Sequence, residues 1–181
     1  MSSYFKEDVN YLKILKTINL LKKPKKIVEF GILNGDSLLH MSEVCLKTAS
    51  INAYDIFDKF NGNSANKNEL IKKFKKNKNI TINYGNYFTK HKQLKDNSID
   101  ILHIDIANDG KIYDFFIKNY FKKLKKNGIA ILEGGSKERD QVQWMKKYKK
   151  IKISDTLTKI KEKNYSFINI GKVPSITIFL K

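Results

Sequence analysis

Short apolar runs alternate with helix-period segments along most of this chain, and that alternation limits the fold more than any other feature. Residues 27–30, 51–54, 80–84, 99–105 and 129–132 read as strands, and residues 37–47, 67–77, 112–124 and 138–148 read as helices. Strand–helix–strand connections close as right-handed crossovers, which lays the strands parallel and covers both faces. Two last apolar segments, 167–170 and 175–180, flank Gly171 and Pro174 and suit an antiparallel hairpin. The expectation is an α/β fold with a doubly wound, mostly parallel sheet of seven strands and an antiparallel C-terminal hairpin strand.

Ahead of the first strand, Phe5, Val9, Leu12, Leu15, Ile18 and Leu21 recur near a 3.6-residue spacing. Residues 4–21 therefore read as an amphipathic helix, with Ser2 or Ser3 as cap and Pro24 as stop. A length of 181 residues suits one core, so a single domain is expected: residues 1–23 as an N-terminal helix and residues 25–181 as the sheet with its helices. The lone Cys45 makes no internal disulfide, and charges run through the first sixteen residues. With no apolar run near the length of a membrane span, the expectation is a cytoplasmic protein without membrane association.

The net charge of +18 invites a nucleic-acid partner. Yet Arg139 is the only arginine among 36 basic residues, and phosphate or base readers favour arginine's planar fork. The lysine runs at 22–26, 72–78, 122–126 and 146–150 fall at the ends of expected helices, where they complement the helix dipole. They are expected at the sheet edge opposite the ligand side. Nucleic acid is therefore disfavoured, and a small molecule is the expected partner; a homodimer is compatible with the sequence.

Ligands of doubly wound sheets bind beyond the carboxyl ends of the strands. Those ends carry Glu29, Asp55, Asp105 and Glu133. The segment VEFGILNGDS takes a strand into a loop with glycines four apart, Gly31 and Gly35, and straight into a helix. It lacks the middle glycine that a dinucleotide's pyrophosphate requires, so a nicotinamide cofactor is disfavoured. Glu29 is placed to hold an ammonium, Asp55 to accept both hydroxyls of a ribose, and Gly85-Asn86 to meet an adenine edge; a plain strand–turn–helix corner and loop-capping carboxylates are the alternatives.

Taken together, these segments resemble the class I S-adenosylmethionine-dependent methyltransferases. VEFGILNGDS resembles their first motif, AYDIFD the second and NYGNYF the adenine-side motif. ILHIDIANDGKIYDFF is similar to the segment after the fourth strand in catechol-type and in bacterial sugar or antibiotic O-methyltransferases, and KKLKKNGIAILEGG to the approach to the fifth. The resemblance spans residues 25–181 and implies a Rossmann-like sheet. It implies S-adenosylmethionine as cofactor, held by Glu29, Gly31, Asn34, Gly35, Ser37, Asp55, Ile56, Asn86 and Asp105.

Metal-dependent catechol-type members hold a divalent ion with two aspartates and an asparagine. Here Asp105 keeps the first position, Glu133 replaces the second and Gly134 stands for the asparagine. Asp105 and Glu133, with Asp109 nearby, leave Mg²⁺ as a compatible ligand. The lysine such enzymes use as base falls at Asn108, with Lys111 displaced. Asp105 thereby becomes the candidate general base or substrate anchor, with His103, two residues earlier on the same strand, to orient it or take a proton. Arg139 is expected to clamp an acidic substrate or pair locally with Glu138 or Asp140. The expected activity is O-methylation of a small hydroxylated molecule such as a sugar; the alternatives are an RNA or DNA methyltransferase and a noncatalytic S-adenosylmethionine-binding module.

Overall fold

A computed structural model describes residues 10–59 and 63–181. The expected cap at Ser2 or Ser3, the helical positions Phe5 and Val9, and Gly62 lie outside these residues. Seven strands form one sheet: β1 (Lys26–Phe30), β2 (Ser50–Asp55), β3 (Ile80–Tyr84), β4 (Ile99–Ile104), β5 (Leu124–Glu133), β6 (Phe167–Gly171) and β7 (Ser175–Leu180). Their order is β3-β2-β1-β4-β5-β7-β6. The first five pair in parallel, and β7 runs antiparallel between β5 and β6. This is the doubly wound sheet read from the sequence.

The helices are α1 (Tyr11–Lys22), α2 (Asp36–Ser42), α3 (Lys67–Lys73), α4 (Tyr87–Lys90), α5 (Gly110–Phe115), α6 (Gln143–Lys147) and α7 (Ile153–Glu162). Alternation along the parallel strands separates two apolar layers. Ile27, Ile51, Ile101 and Ile131 pack with Leu15 of α1, Leu38 and Met41 of α2 and Leu70 of α3. Val28, Phe30, Leu102 and Ile104 pack with Tyr113 and Phe116 and with Ile153, Leu157 and Ile160 of α7.

Several elements depart from the sequence reading: α4 stands where no helix is expected, α2 and α3 end at Ser42 and Lys73 rather than at 47 and 77, and three differences are larger. The helix expected over 112–124 begins at Gly110, widens into a π turn over Phe116–Tyr120 and ends by Lys123, so that β5 starts at Leu124 and runs through Gly128. The helix expected over 138–148 is a short 3₁₀ turn, Arg139–Gln141, followed by α6. Helix α7 was not expected at all; its N-terminal amides at Ile153 and Ser154 donate to the Asp140 carboxylate at 2.8 and 2.9 Å, a cap supplied from outside the helix. Among the described residues no helix is long and apolar enough to cross a membrane.

Candidate functional site

The carboxyl ends of β1 to β4 open into a cleft of about 500 Å³, a size suited to a small molecule. It lies where the chain reverses direction across the sheet, with β2 on one side of β1 and β4 on the other. The floor is made of backbone. Gly31 has φ +89°, and a Cβ there would stand 1.9 Å from the Asp105 carbonyl oxygen. The Asp105 amide donates to Phe30 O at 2.9 Å, and the Gly31 amide to Tyr54 O at 3.0 Å, so three strand ends are tied together.

Asp55 lines the cleft while holding its walls. Its Oδ2 accepts from the Ile32 amide at 2.8 Å, and its Oδ1 accepts from the Phe57 amide at 2.8 Å and Asn63 Nδ2 at 2.7 Å. Ile56 follows it into the cleft. Asn86 caps α4, its side-chain oxygen accepting from the Phe88 amide at 2.8 Å, and lines the cleft beside Tyr54, Tyr87 and Phe88. Asp105 opens to the cleft, and its carboxylate accepts no hydrogen bond from the described residues. The cleft walls desolvate it and raise its pKa; His103 and Arg139 pull the other way, and Glu29 reinforces the rise.

The remaining expected residues do not line this cleft. Gly35 (φ +78°) opens α2, and a Cβ there would meet the Phe74 ring at 2.7 Å, so its size serves packing against α3. Asn34 faces outward with its carbonyl held by Lys73 Nζ at 2.6 Å. Glu29, Ser37 and His103 form a separate buried cluster. Ser37 Oγ donates to Glu29 Oε1, and His103 Nδ1 meets the same oxygen at 2.7 Å. Glu29 Oε2 is buried without a partner. His103 Nε2 reaches the Tyr11 hydroxyl of α1 at 2.8 Å. Burial lowers the His103 pKa, but the Glu29 carboxylate outweighs it and the net shift is upward.

The metal expectation fails on the donor set. Glu133 spends both oxygens on Arg139, at 2.5 Å to Nε and 2.8 Å to Nη2, so Arg139 pairs neither with Glu138 nor with Asp140. Asp109 caps α5 through the Lys111 and Ile112 amides and pairs with Lys150 at 3.4 Å. Among the described residues no group of three or more candidate ligands gathers, and Asp105 with Glu133 does not suit Mg²⁺. Asn108, at the base position of the catechol type, is fully buried and latches β4 to β5 through Ile104 O and Glu133 O, each at 2.9 Å.

The lysines are also partly re-placed. Lys25 and Lys26 donate their amides to Asp100, which Lys125 also pairs, at the far end of the sheet as expected. Lys150, however, lines the cleft together with Lys111, and Lys73 reaches the glycine loop. Sequence reasoning set Lys111 near the site but placed Lys73 and Lys150 on the opposite side, and it missed Tyr11. Tyr11 was legible only as one turn before Leu15 on the buried stripe of α1.

A family described as a methyltransferase domain matches residues 28–133. The fold is shared with solved structures at low identity. A putative caffeoyl-CoA O-methyltransferase from Staphylococcus aureus is 19% identical with a TM-score of 0.72, over 96% of this chain and 84% of that one. The O-methyltransferase TomG of Streptomyces achromogenes, involved in tomaymycin synthesis and solved with S-adenosylmethionine (SAM), is 14% identical with a TM-score of 0.67, over 96% and 80%. An O-methyltransferase from Bacillus cereus solved with S-adenosylhomocysteine (SAH) is 14% identical with a TM-score of 0.63, over 98% and 84%. No curated protein matches the sequence.

Proposed function

The chain belongs to the class I S-adenosylmethionine-dependent methyltransferases, and on that premise we propose that it methylates an oxygen of a small hydroxylated acceptor such as a sugar. The observation that carries the reading is the cleft itself, a backbone floor at Gly31 with the uncommitted Asp105 carboxylate beside it. The O-methyltransferases that share the fold, with SAM or SAH bound in two of them, support oxygen as the methylated atom.

The residues fit the cofactor. Because Gly31 has no Cβ, the Asp105 carbonyl closes against it, and the bare backbone of the two strand ends forms a floor on which a ligand can lie. Asp55 Oδ2 accepts only the Ile32 amide and keeps a lone pair free, and Oδ1 gains one if Asn63 turns away, which suits a ribose diol. Tyr54, Phe88 and Asn86 suit an adenine face and edge. When bound, the cofactor's sulfonium supplies an already activated methyl group, so the protein's task is alignment and exclusion of water. Phe30, Ile106 and Ala107 make the dry wall. Asp105 accepts the hydrogen bond of the acceptor hydroxyl and fixes its direction of approach. The lysines at the cleft, Lys111 and Lys150, favour the second reading of a nucleic-acid acceptor, although neither is the arginine fork that base readers prefer.

Calorimetry with SAH, SAM and NAD tests the cofactor. Micromolar-range binding of the sulfur nucleotides without NAD binding is expected. No heat from either sulfur nucleotide, or tighter binding of NAD, would sink the reading.

A further inference from the structure

Two lysines of the cleft wall hold neither the cofactor nor the reacting hydroxyl in the reading above. Lys111 is the second residue of α5, exposed and lining the cleft, and among the described residues its ammonium has neither an ion pair nor a hydrogen bond. Lys150 comes from the segment ahead of α7 and lines the same cleft. A backbone bond brings the two together: the Gly110 amide donates to Ile151 O at 2.8 Å, and each of these partners has one of the lysines as its neighbour. The approach is close, since a Cβ at Gly110 would stand 2.5 Å from Ile151 Cγ2. Lys150 Nζ is further held 5.9 Å from the Trp144 ring centroid.

This convergence is unfavourable by itself. A cation in the first turn of a helix opposes the helix dipole, and two ammoniums on one wall repel. The nearby acid does not balance them. Asp109 Oδ2 is 3.4 Å from Lys150 Nζ, longer than a good hydrogen bond, and its Oδ1 is spent on the Lys111 and Ile112 amides. Asp55 is tied to Ile32, Phe57 and Asn63, and no ion pair among the described residues joins Asp55 or Asp105 to either lysine. Glu133 and Arg139 neutralise each other. At this wall one carboxylate therefore faces two ammoniums, leaving an excess positive charge that a bound anion would offset. Lysines serving solubility alone are better placed in the last turn of a helix, as Lys22, Lys72 and Lys161 are.

We propose that Lys111 and Lys150 form an anion subsite of the cleft, and that the acceptor is a small hydroxylated molecule carrying a carboxylate or phosphate group. The proposal rests on the methyl-transfer reading and deepens it: Asp105 takes the hydroxyl, and the two lysines take the acid. Lysine ammoniums are point charges without the planar fork of arginine, so the subsite selects for charge and tolerates different anion shapes. A cleft of about 500 Å³ suits a small acid rather than a folded polymer. The chain's net charge of +18 adds long-range attraction for such a molecule. A neutral sugar leaves the excess charge of the wall unanswered.

Calorimetry on the SAH complex tests the subsite, with glucose, glucuronate and glucose 6-phosphate as probes. At low salt at least one acidic probe is expected to bind about tenfold tighter than glucose, or better. Lys111→Gln and Lys150→Gln should each weaken that binding about three- to fivefold, and together about tenfold or more, while SAH affinity stays within about twofold. Added salt should erase the preference. Both side chains reach solvent, so the variants are expected to fold, and far-UV circular dichroism checks that they do. Acidic probes that bind no tighter than glucose, or not at all, would overturn the subsite and leave methyl transfer standing. So would variants that bind the acidic probe as wild type does, or that weaken SAH equally, since the lysines would then serve the cofactor. A single-stranded RNA oligonucleotide that binds tighter than either acidic probe, and loses its affinity in the variants, would turn the wall over to nucleic acid and overturn the proposal. Absence of SAH binding by wild type would overturn the methyl-transfer reading, and the acceptor subsite with it.

Discussion

Asp55→Ala is expected to unfold the protein's first loop as well as weaken cofactor binding, and the size of the effect follows from its three hydrogen bonds. Asp55 is only 7% exposed, and its carboxylate is the partner of the Ile32 and Phe57 amides. Alanine leaves both amides unpaired, at about 1–3 kcal/mol each. Asn63 can turn its amide to water and adds little. The sum, about 2–6 kcal/mol, is a large share of the roughly 5–15 kcal/mol that holds a domain together. For a chain of this length it corresponds to a fall in Tm of very roughly 4–24 °C, at about 2–4 °C per kcal/mol. Asp55→Asn should cost about half as much, since one side-chain oxygen still accepts while the amide opposes the other donor. Urea unfolding at pH 7 without ligand, followed by circular dichroism, measures both variants. A loss under about 1 kcal/mol for Asp55→Ala would refute the claim that Asp55 holds the glycine loop, and would leave it only the proposed role of ribose ligand.

Other outcomes follow from the same geometry. Gly31→Ala should fail to fold or lose most of its stability in a thermal scan, because the added carbon meets backbone, whereas Gly35→Ala should be milder because its obstacle is the Phe74 ring. Asp105→Asn should keep SAH affinity in calorimetry but lower methyl transfer by about 10²-fold, and EDTA should leave wild-type turnover unchanged because Glu133 is committed to Arg139. The same variant should be more stable at neutral pH. Asp105 has a higher pKa folded than unfolded, so ionising it opposes folding above the folded value, and the advantage of Asn should shrink in thermal scans as pH falls toward 4. Labelled RNA should bind weakly and lose its affinity by about physiological salt, as fluorescence anisotropy at two salt concentrations would show.

The sheet was legible because each parallel strand is a short branched-apolar run that ends at a glycine or an acid. Helix α7 was not, for a local reason: Ile153, Leu157 and Ile160 have the right spacing, but Lys152 before them has no capping side chain, and the cap comes from Asp140, twelve residues back. The cleft-lining half of the site, Gly31, Asp55, Ile56, Asn86 and Asp105, sits on loops directly following strands, where sequence position and spatial position coincide. What escaped depends on long-range pairing. Arg139 was read with its neighbours, but the left-handed backbone at Gly134 and Gly135 turns it back onto Glu133. Tyr11 meets His103 only because α1 crosses β1 and β4, and no periodicity in the sequence announces that crossing.

The contact of Gly31 with the Asp105 carbonyl, and the bond from the Asp105 amide to Phe30, have a consequence for how such an enzyme changes over time. On the proposed function, the wall offered to the donor and the residue offered to the acceptor are fastened main chain to main chain, with little side-chain matter between them. They behave as the two jaws of one fixture, whose spacing is indifferent to what the surrounding loops carry. Residues such as Lys111 and Lys150 can therefore be exchanged to admit a different acceptor without resetting the distance over which the methyl group must travel. Substrate choice is free to drift while the alignment is inherited.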